Sequence, residues 1–156
     1  MAPRRPHLTL GVEEEYLLVE RATGALAISP PEGFMAACRE ALGPQVTHEL
    51  LQAQVEIGTS VCRDVASLRR ELAGLRRTVA DCAGEFDLAL LAVSPHPSAS
   101  WREQRSVDLD RYRLLTEDFQ ALARRLVVCG MHIHAGVDDD ELRIDLMNQT
   151  AYFLPH

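Results

Sequence analysis

The chain contains no lysine, since all 16 of its basic residues are arginine. This absence excludes a phosphate-binding loop built on lysine, a Schiff-base lysine and a serine–lysine catalytic pair. Any phosphate bound here must therefore be met by arginine, by a metal ion or by backbone amides. No run of about 18 apolar residues is present, so the sequence predicts no membrane-spanning helix and no membrane partner.

Cysteine and net positive charge are also scarce. The 4 cysteines have no Cys-x-x-Cys spacing, which disfavours a disulfide framework and favours buried or inert thiols. The net charge of −7 disfavours nucleic acid as a partner. The first residues are followed by prolines and glutamates where a signal peptide would be apolar, so we expect a cytoplasmic location. At 156 residues, the chain has the length of one domain over residues 1–156.

The most informative stretch runs from Cys129 to Gly136, with the sequence Cys-Gly-Met-His-Ile-His-Ala-Gly. Interpreted as a strand, it places His132 and His134 on one face about 7 Å apart, and the apolar residues beside them on the face that can be buried. Gly130 and Gly136 fall on the histidine face and leave room for a ligand to approach. An isolated pair of this kind is equally compatible with two satisfied histidines in an edge strand.

A second polar face is predicted on the strand from Leu8 to Val19. Glu13 and Glu15 share one side of this strand about 7 Å apart, while Glu14 points to the other side with Tyr16. The spacing of Glu13 and Glu15 suits one ion held from two sides, or two ions between them. Taken alone, a glutamate-rich strand is also typical of an exposed edge that resists aggregation.

The segment from Val46 to Thr59 is predicted to be extended, with a row of polar side chains along one face that ends at Glu56. Glu49 lies an odd number of positions earlier, so in an unbroken strand it would point to the opposite face. A bulge or a helical start would be needed to bring Glu49 and Glu56 together.

The hydrophobic periodicity predicts an α+β fold in which helices cover one face of a mixed or antiparallel sheet. The other face then carries Glu13, Glu15, Glu56, His132 and His134. Strands are predicted over residues 8–19, 46–57, 88–93 and 127–137, with a short return strand over 26–29. Helices are predicted over 34–42, 64–83, about 108–126 and 141–154, the last with no cover for its apolar positions.

Two further positions are candidates for a site. Arg111 and Arg113 fall in the first turn of the helix that begins near Asp108 or Asp110. Cations are poorly placed at a helix N-terminus, so both arginines are expected to have an anionic partner. His96 directly follows the buried strand, at a position that can face a site.

The donor set favours magnesium or manganese, because carboxylates are hard ligands and a histidine among them is tolerated by these ions. Two or three divalent ions clamped between carboxylates and the phosphates of a nucleotide would neutralise charge during phosphoryl transfer, with arginines completing the clamp. The alternative is a single-metal site, in which His132, His134 and a glutamate hold zinc, iron or manganese for hydrolysis or oxygen chemistry.

Three ordered motifs, Gly11 to Tyr16, Glu49 to Cys62 and Gly130 to Gly136, resemble those of the second glutamate-cysteine ligase family, the bacterial carboxylate-amine ligases. Ser94 to Pro97 and Arg111 to Arg113 resemble shorter segments of that family, which is related to glutamine synthetase. The resemblance implies a glutamine synthetase-like catalytic domain, of which this chain is the N-terminal part. It also implies ATP-dependent ligation, in which a glutamate γ-carboxylate becomes an acyl phosphate and is attacked by the amino group of cysteine or another amine.

The resemblance also implies roles for individual residues. Glu13, Glu15, Glu56 and His132 match metal ligands for Mg²⁺ or Mn²⁺, His134 matches a position near the nucleotide, and Glu49 is a weaker candidate in the cofactor site. Arg111 and Arg113 are the candidate catalytic arginines. Members of the family are more than twice as long, and their substrate arginines and a further metal-ligating glutamate lie beyond the matched region. We therefore expect this chain alone to be an inactive half-domain that binds metal or nucleotide and forms a homo-oligomer through its open sheet edge or last helix.

Overall fold

A computed structural model describes residues 6–108 and 128–154. Arg111, Arg113 and the helix predicted around them lie outside this described part. The elements in it are β1 (Leu8–Glu20), α1 (Glu32–Leu42), β2 (Val46–His48), β3 (Gln54–Gly58), α2 (Val65–Gly84), β4 (Leu88–Leu91), β5 (Met131–Val137) and α3 (Asp140–Ala151).

Strand β1 is the centre of the sheet. Its 13 residues are enough to pair with β3 along one edge and with two strands, placed end to end, along the other. β5 pairs with the first half of β1 and β4 with the second half, while β2 extends the sheet beyond β3. Every one of these pairings is antiparallel. The prediction of an α+β fold is confirmed, and the sheet in the described residues is antiparallel rather than mixed.

Helices α1 and α2 bury one face of the sheet. Alternate residues of β1 and β3, among them Tyr16 and Val55, form a core with Phe34 of α1 and Val79 of α2. Helix α2 begins as predicted at Asp64, whose carboxylate accepts a hydrogen bond of 2.6 Å from the backbone N–H of Ser67. Its buried residues Leu75, Val79, Cys82 and Ala83 repeat at helical spacing and belong to this core, whereas Val65 at the start of the helix is 68% exposed.

A charged tie fastens α2 to the middle of β1. Glu14 is buried on the helix-covered face, and Arg76 donates to both of its carboxylate oxygens, at 2.6 and 2.5 Å. The hydroxyl of Tyr16 donates a further hydrogen bond to the same carboxylate. A carboxylate buried in this way would be costly without such partners. The tie therefore stabilises Glu14 with its side chain directed away from the face that carries its neighbours Glu13 and Glu15.

The opposite face of β1 is divided into two halves. Its C-terminal half, with Leu17 and Val19, is covered by Leu26 and by the loop residues Leu50 and Leu51, which form a second core. Leu26 makes a single bridge to Val19, so the return strand predicted over 26–29 is wrong in extent. Among residues 6–108 and 128–154, no core covers the part of this face that carries Glu13 and Glu15.

The far edge of the sheet is less covered than the sequence predicted. Met131 and Ile133 of β5 were expected to be buried, but their side chains are 47% and 70% exposed, because no described helix reaches over that strand. Helix α3 also leaves Ile144 and Met147 exposed, as expected from the sequence. In the described residues, no helix is both long and apolar enough to cross a membrane.

The cysteines behave as predicted. Cys38, Cys62 and Cys82 are buried free thiols, and Cys129 is half-buried. Burial raises the pKa of Cys38 to about 12, so this thiol stays protonated and unreactive.

Replacing Arg76 by alanine tests the tie between α2 and β1. We expect R76A to lower the free energy of unfolding by about 2 kcal/mol, because Glu14 then keeps a buried charge without its cation. Urea unfolding followed by circular dichroism measures this change. Arg77→Ala, at the exposed neighbouring position of α2, is the control and should change stability little. Equal stabilities of the two variants would show that the tie contributes nothing.

Candidate metal centre

The register of the sheet brings the predicted site residues onto one face. Glu15 lies directly opposite Glu56 of β3, and Glu13 lies directly opposite His132 of β5. His134 lies opposite Gly11 on the same side. Because directly opposed residues of an antiparallel pair point to the same face, three neighbouring strands present these five side chains together.

Glu49 joins this face through a turn that the sequence did not reveal. The segment predicted as one extended strand is a hairpin, in which β2 pairs antiparallel with β3 and the chain reverses between them. The odd spacing between Glu49 and Glu56 therefore does not separate them. Glu15, Glu49 and Glu56 each offer an oxygen within 4.8 Å of the other two. We call these three residues the carboxylate triad.

The triad concentrates negative charge in a partly buried position. Burial raises the pKa of Glu56, and the nearby charges of Glu49, Glu13 and Glu15 raise it further. The hydroxyl of Thr47, 3.0 Å from a Glu56 oxygen, acts in the opposite direction. Three carboxylates that repel one another at this distance form the arrangement that a hard divalent cation stabilises.

A second group of donors lies beside the triad. One oxygen of Glu13 is 3.2 Å from Nδ1 of His132 and 3.2 Å from Nε2 of His134. Hydrogen bonds from His132 and then His134 hold the pKa of Glu13 below its usual value, so this carboxylate stays ionised. We call these three residues the imidazole–carboxylate group. It supplies nitrogen and oxygen donors, whereas the triad supplies oxygen alone.

The triad is also connected to the histidine strand through the backbone. The N–H of Gly130 donates to a carboxylate oxygen of Glu15 at 3.0 Å, and the N–H of Glu15 donates to the carbonyl of Gly130 at 3.1 Å. These two bonds fix the start of β5 against the side chain of Glu15. The donor set of the face fits Mg²⁺ or Mn²⁺, and Glu13 with His132 fits a second ion of the same kind.

Gly136 of the histidine strand does not provide the open space predicted for it. A Cβ at Gly136 would lie 2.1 Å from Oγ1 of Thr9, so this glycine lets the two strands approach under the threonine side chain. Space for a ligand lies next to it instead, in a cleft of about 270 Å³ between β1 and the segment from Thr59 to Val61. Glu13 and His134 border this cleft.

His96 has a role other than the one predicted, and Gln54 has a role that was not predicted. His96 does not face the site, because it is buried, its Nε2 lies 3.0 Å from the Gly24 carbonyl and its Nδ1 accepts from Ser98. Gln54 was not singled out, although its side-chain amide donates to the Val128 carbonyl at 2.6 Å. Its oxygen also accepts from the N–H of Leu51 at 3.3 Å. Gln54 thus holds both the turn after Glu49 and the segment before β5. A polar residue in an otherwise buried strand was the sequence feature that could have indicated this role.

Comparison with known sequences gives one family. The sequence model of the family described as glutamate-cysteine ligase family 2 matches residues 9–156. A protein of Rhodospirillum rubrum, provisionally named glutamate–cysteine ligase 2, is 50% identical over 98% of this chain and 40% of its own length. A protein of Paracoccus denitrificans with the same provisional name is 50% identical over 97% of this chain and 40% of its own length. The chain therefore spans about two fifths of the length of these relatives.

Comparison with solved structures agrees on the fold. The glutamate–cysteine ligase of Francisella tularensis, solved in complex with AMP, matches with a TM-score of 0.68 and 19% identity, over 94% of this chain and 30% of that one. A bifunctional glutathione synthetase of Pasteurella multocida matches with a TM-score of 0.68 and 17% identity, over 90% of this chain and 18% of that one.

Removing the charge of Glu56 tests the electrostatics of the triad. Because burial raises the pKa of Glu56 in the folded state, ionising it costs more there than in the unfolded chain. The folded state therefore loses stability as the pH rises above the ordinary glutamate value of 4.5. Without metal, E56Q should resist urea better than the wild type at about pH 7 and equally below pH 4.5.

The control for this experiment is Glu40→Gln, which removes an exposed carboxylate of α1. It should leave the urea midpoint unchanged at both pH values. A lower midpoint for E56Q near neutral pH would contradict the proposed repulsion and would indicate that the charged form of Glu56 stabilises the fold.

Proposed function

The chain belongs to the glutamate-cysteine ligase family 2, and from this premise we propose that it supplies the metal- and nucleotide-binding part of an ATP-dependent carboxylate-amine ligase. The observation that carries the proposal is the carboxylate triad beside the imidazole–carboxylate group on one open sheet face. Without lysine, these 156 residues have no side-chain ammonium group with which to neutralise phosphates. Metal cations bound by carboxylates, together with arginine side chains, can neutralise phosphates instead.

We assign one Mg²⁺ or Mn²⁺ to Glu15, Glu49 and Glu56, and a second to Glu13 with His132. When bound, these ions would neutralise the triphosphate and the charge that develops on the transferred phosphoryl group. The protein's own part is to hold Glu15 and Glu56 on paired strands and Glu49 in the turn between β2 and β3, so that little reorganisation is required when ATP binds. The half-burial of the triad strengthens its interaction with a cation relative to open water.

The proposed reaction transfers the γ-phosphoryl group of ATP to the γ-carboxylate of glutamate, giving ADP and an acyl phosphate. The amino group of cysteine or another amine then attacks the acyl carbon, the carbon–oxygen bond to phosphate breaks, and inorganic phosphate and a proton are released. Both substrates are small molecules. Arg111 and Arg113 are proposed to bind the anionic groups of the substrates, which remains a prediction because both residues lie outside the described part of the chain.

His134 is proposed to lie next to the nucleotide, and the cleft that it borders is proposed to receive part of ATP. Two observations support this assignment. The cleft opens beside Glu13, at one end of the donor face. The Francisella tularensis ligase, which shares the fold, was solved with a bound AMP.

The approach of two imidazoles to one carboxylate oxygen of Glu13 favours a second candidate. Two histidines and one carboxylate are also the ligands of single-metal hydrolases and oxygenases. Such a site would prefer zinc or iron and would require no nucleotide, so metal preference distinguishes the two functions.

Calorimetric titration with ATP in the presence of Mg²⁺, Mn²⁺ or Zn²⁺ tests the proposal on the chain as it exists. We expect binding of ATP that requires Mg²⁺ or Mn²⁺. Glu15→Gln should weaken it by at least about tenfold, the loss typical even of an outer-shell partner of a metal. Glu40→Gln is the matched control on α1 and should bind as the wild type does. Tight zinc binding that ignores ATP would support the single-metal candidate instead.

A chimera tests the complete reaction, because the chain covers only two fifths of its relatives. The matching part of the Rhodospirillum rubrum protein would be replaced by this chain, with which it is 50% identical. We expect ADP release that depends on both glutamate and an amine, and a fall of about a hundredfold or more with Glu49→Gln, since charge neutralisation contributes most of the catalysis. A folded chimera whose ADP release ignores glutamate would refute the ligase assignment.

A further inference from the structure

The segment that forms one wall of the cleft has one residue more than the part of β1 with which it pairs. Val12 is paired with Thr59, whose N–H donates to the Val12 carbonyl at 2.9 Å. Leu10 is bridged to Cys62. The two positions from Leu10 to Val12 on β1 therefore correspond to the three positions from Thr59 to Cys62 on the other strand. This mismatch is a β-bulge at Ser60 and Val61, opposite Gly11, and it opens the sheet next to Glu13 and His134.

The bulge leaves a backbone amide without a partner in β1, and α2 provides one. The N–H of Ser60 donates to Oε1 of Glu71 at 2.7 Å. The same oxygen accepts from the side-chain amide of Gln45 at 2.7 Å, and Oε2 of Glu71 accepts from the thiol of Cys62 at 3.4 Å. One carboxylate from the helical layer therefore holds both ends of the bulge.

These bonds have an electrostatic consequence. The backbone donor at Ser60, and then its side chain and those of Cys62 and Gln45, hold the pKa of Glu71 below its usual value. Glu71 therefore remains a charged acceptor throughout the neutral range, and charge-assisted bonds of this kind are stronger than neutral ones.

The bulge is connected directly to the donor face. The hydroxyl of Thr59 accepts from the N–H of Val12 at 2.9 Å, on the residue that precedes Glu13. Gly11, opposite the bulge, pairs with His134, and a Cβ at Gly11 would lie 3.7 Å from that of His134 and 3.9 Å from Oγ1 of Thr59. A shift of the bulge would therefore change the width of the cleft where it meets Glu13 and His134, and would leave the carboxylate triad in place.

We infer that Glu71 is a positioning residue for the nucleotide: from α2 it holds the Ser60–Val61 bulge that forms one wall of the cleft beside Glu13 and His134. The inference rests on the proposed function, since it takes the ligand of the cleft to be ATP. The hydrogen bonds of Glu71 go to Ser60, Cys62 and Gln45, and Glu71 does not line the cleft, so it acts through the backbone of the bulge.

The test separates nucleotide binding from metal binding. Affinity for a fluorescent ATP analogue would be measured with Mg²⁺, and affinity for Mn²⁺ alone would be measured from the electron paramagnetic resonance signal of the free ion. Glu71→Ala should weaken nucleotide binding about tenfold, the equivalent of one lost charge-assisted hydrogen bond. It should leave Mn²⁺ binding at the triad within about twofold.

Two further variants complete the series. Glu71→Gln keeps an oxygen that can accept from Ser60 and Gln45, so it should restore most of the nucleotide affinity that Glu71→Ala loses. Asp81→Ala removes an exposed carboxylate from the same helix and should behave as the wild type. Hydrogen exchange of the Ser60 amide, measured without ligand, should be faster in Glu71→Ala than in the other variants.

The outcomes distinguish the inference from the proposed function. Equal loss of Mn²⁺ and nucleotide binding in Glu71→Ala would show a general structural role and overturn the inference, as would unchanged nucleotide binding. If the wild type binds Mn²⁺ but no nucleotide, the proposed function fails. In that case, a Ser60 amide that exchanges no faster in Glu71→Ala than in the wild type would overturn the anchoring role as well. Faster exchange in Glu71→Ala would support that role.

Discussion

The alternation of side chains along β1 is the constraint on which the site depends. Three consecutive glutamates would repel one another in most settings, but in a strand their side chains cannot all point the same way. Glu14 turns into the helix-covered face, where Arg76 and Tyr16 satisfy it. Glu13 and Glu15 then occupy the open face, and the antiparallel neighbours place His132 and Glu56 directly opposite them. A slip of one residue in β1 would bury both site carboxylates and expose Tyr16.

The fold allows negative charge to accumulate on the open face because the rest of the sheet is well anchored. The core under α1 and α2 fixes one side of β1, and the smaller core around Leu17 and Val19 fixes the end of the other side. Burial raises the pKa of Glu56, and the nearby charges of Glu49, Glu13 and Glu15 raise it further. Hydrogen bonds from His132 and then His134 lower the pKa of the neighbouring Glu13. The electrostatics of the face therefore differ between Glu56, whose pKa is raised, and the imidazole–carboxylate group, in which the pKa of Glu13 is lowered.

Sequence reasoning succeeded wherever a strand or helix period decided the answer. The faces of β1 and β5 and the extent of α2 follow from such periods. It failed where the chain turns without a turn signal, because residues 49–53 contain no glycine, proline, asparagine or aspartate to mark the hairpin that brings Glu49 to the triad. It also failed at Met131 and Ile133, since a strand period says which face is apolar but not whether another element covers it. The bulge at Ser60 and Val61 was invisible for a third reason: it depends on pairing between strands distant in sequence.

The number of donors explains why metal and nucleotide are expected to bind together. The triad offers three carboxylates, whereas magnesium requires octahedral coordination and is usually held in part by water and by the phosphates of a substrate. Glu13 with His132 offers fewer donors still, and both of their side chains are well exposed. Neither group encloses an ion, so each would bind a free cation weakly and a cation already attached to a triphosphate more tightly. In the proposed function, a face with incomplete coordination therefore favours the metal–nucleotide complex over either component alone.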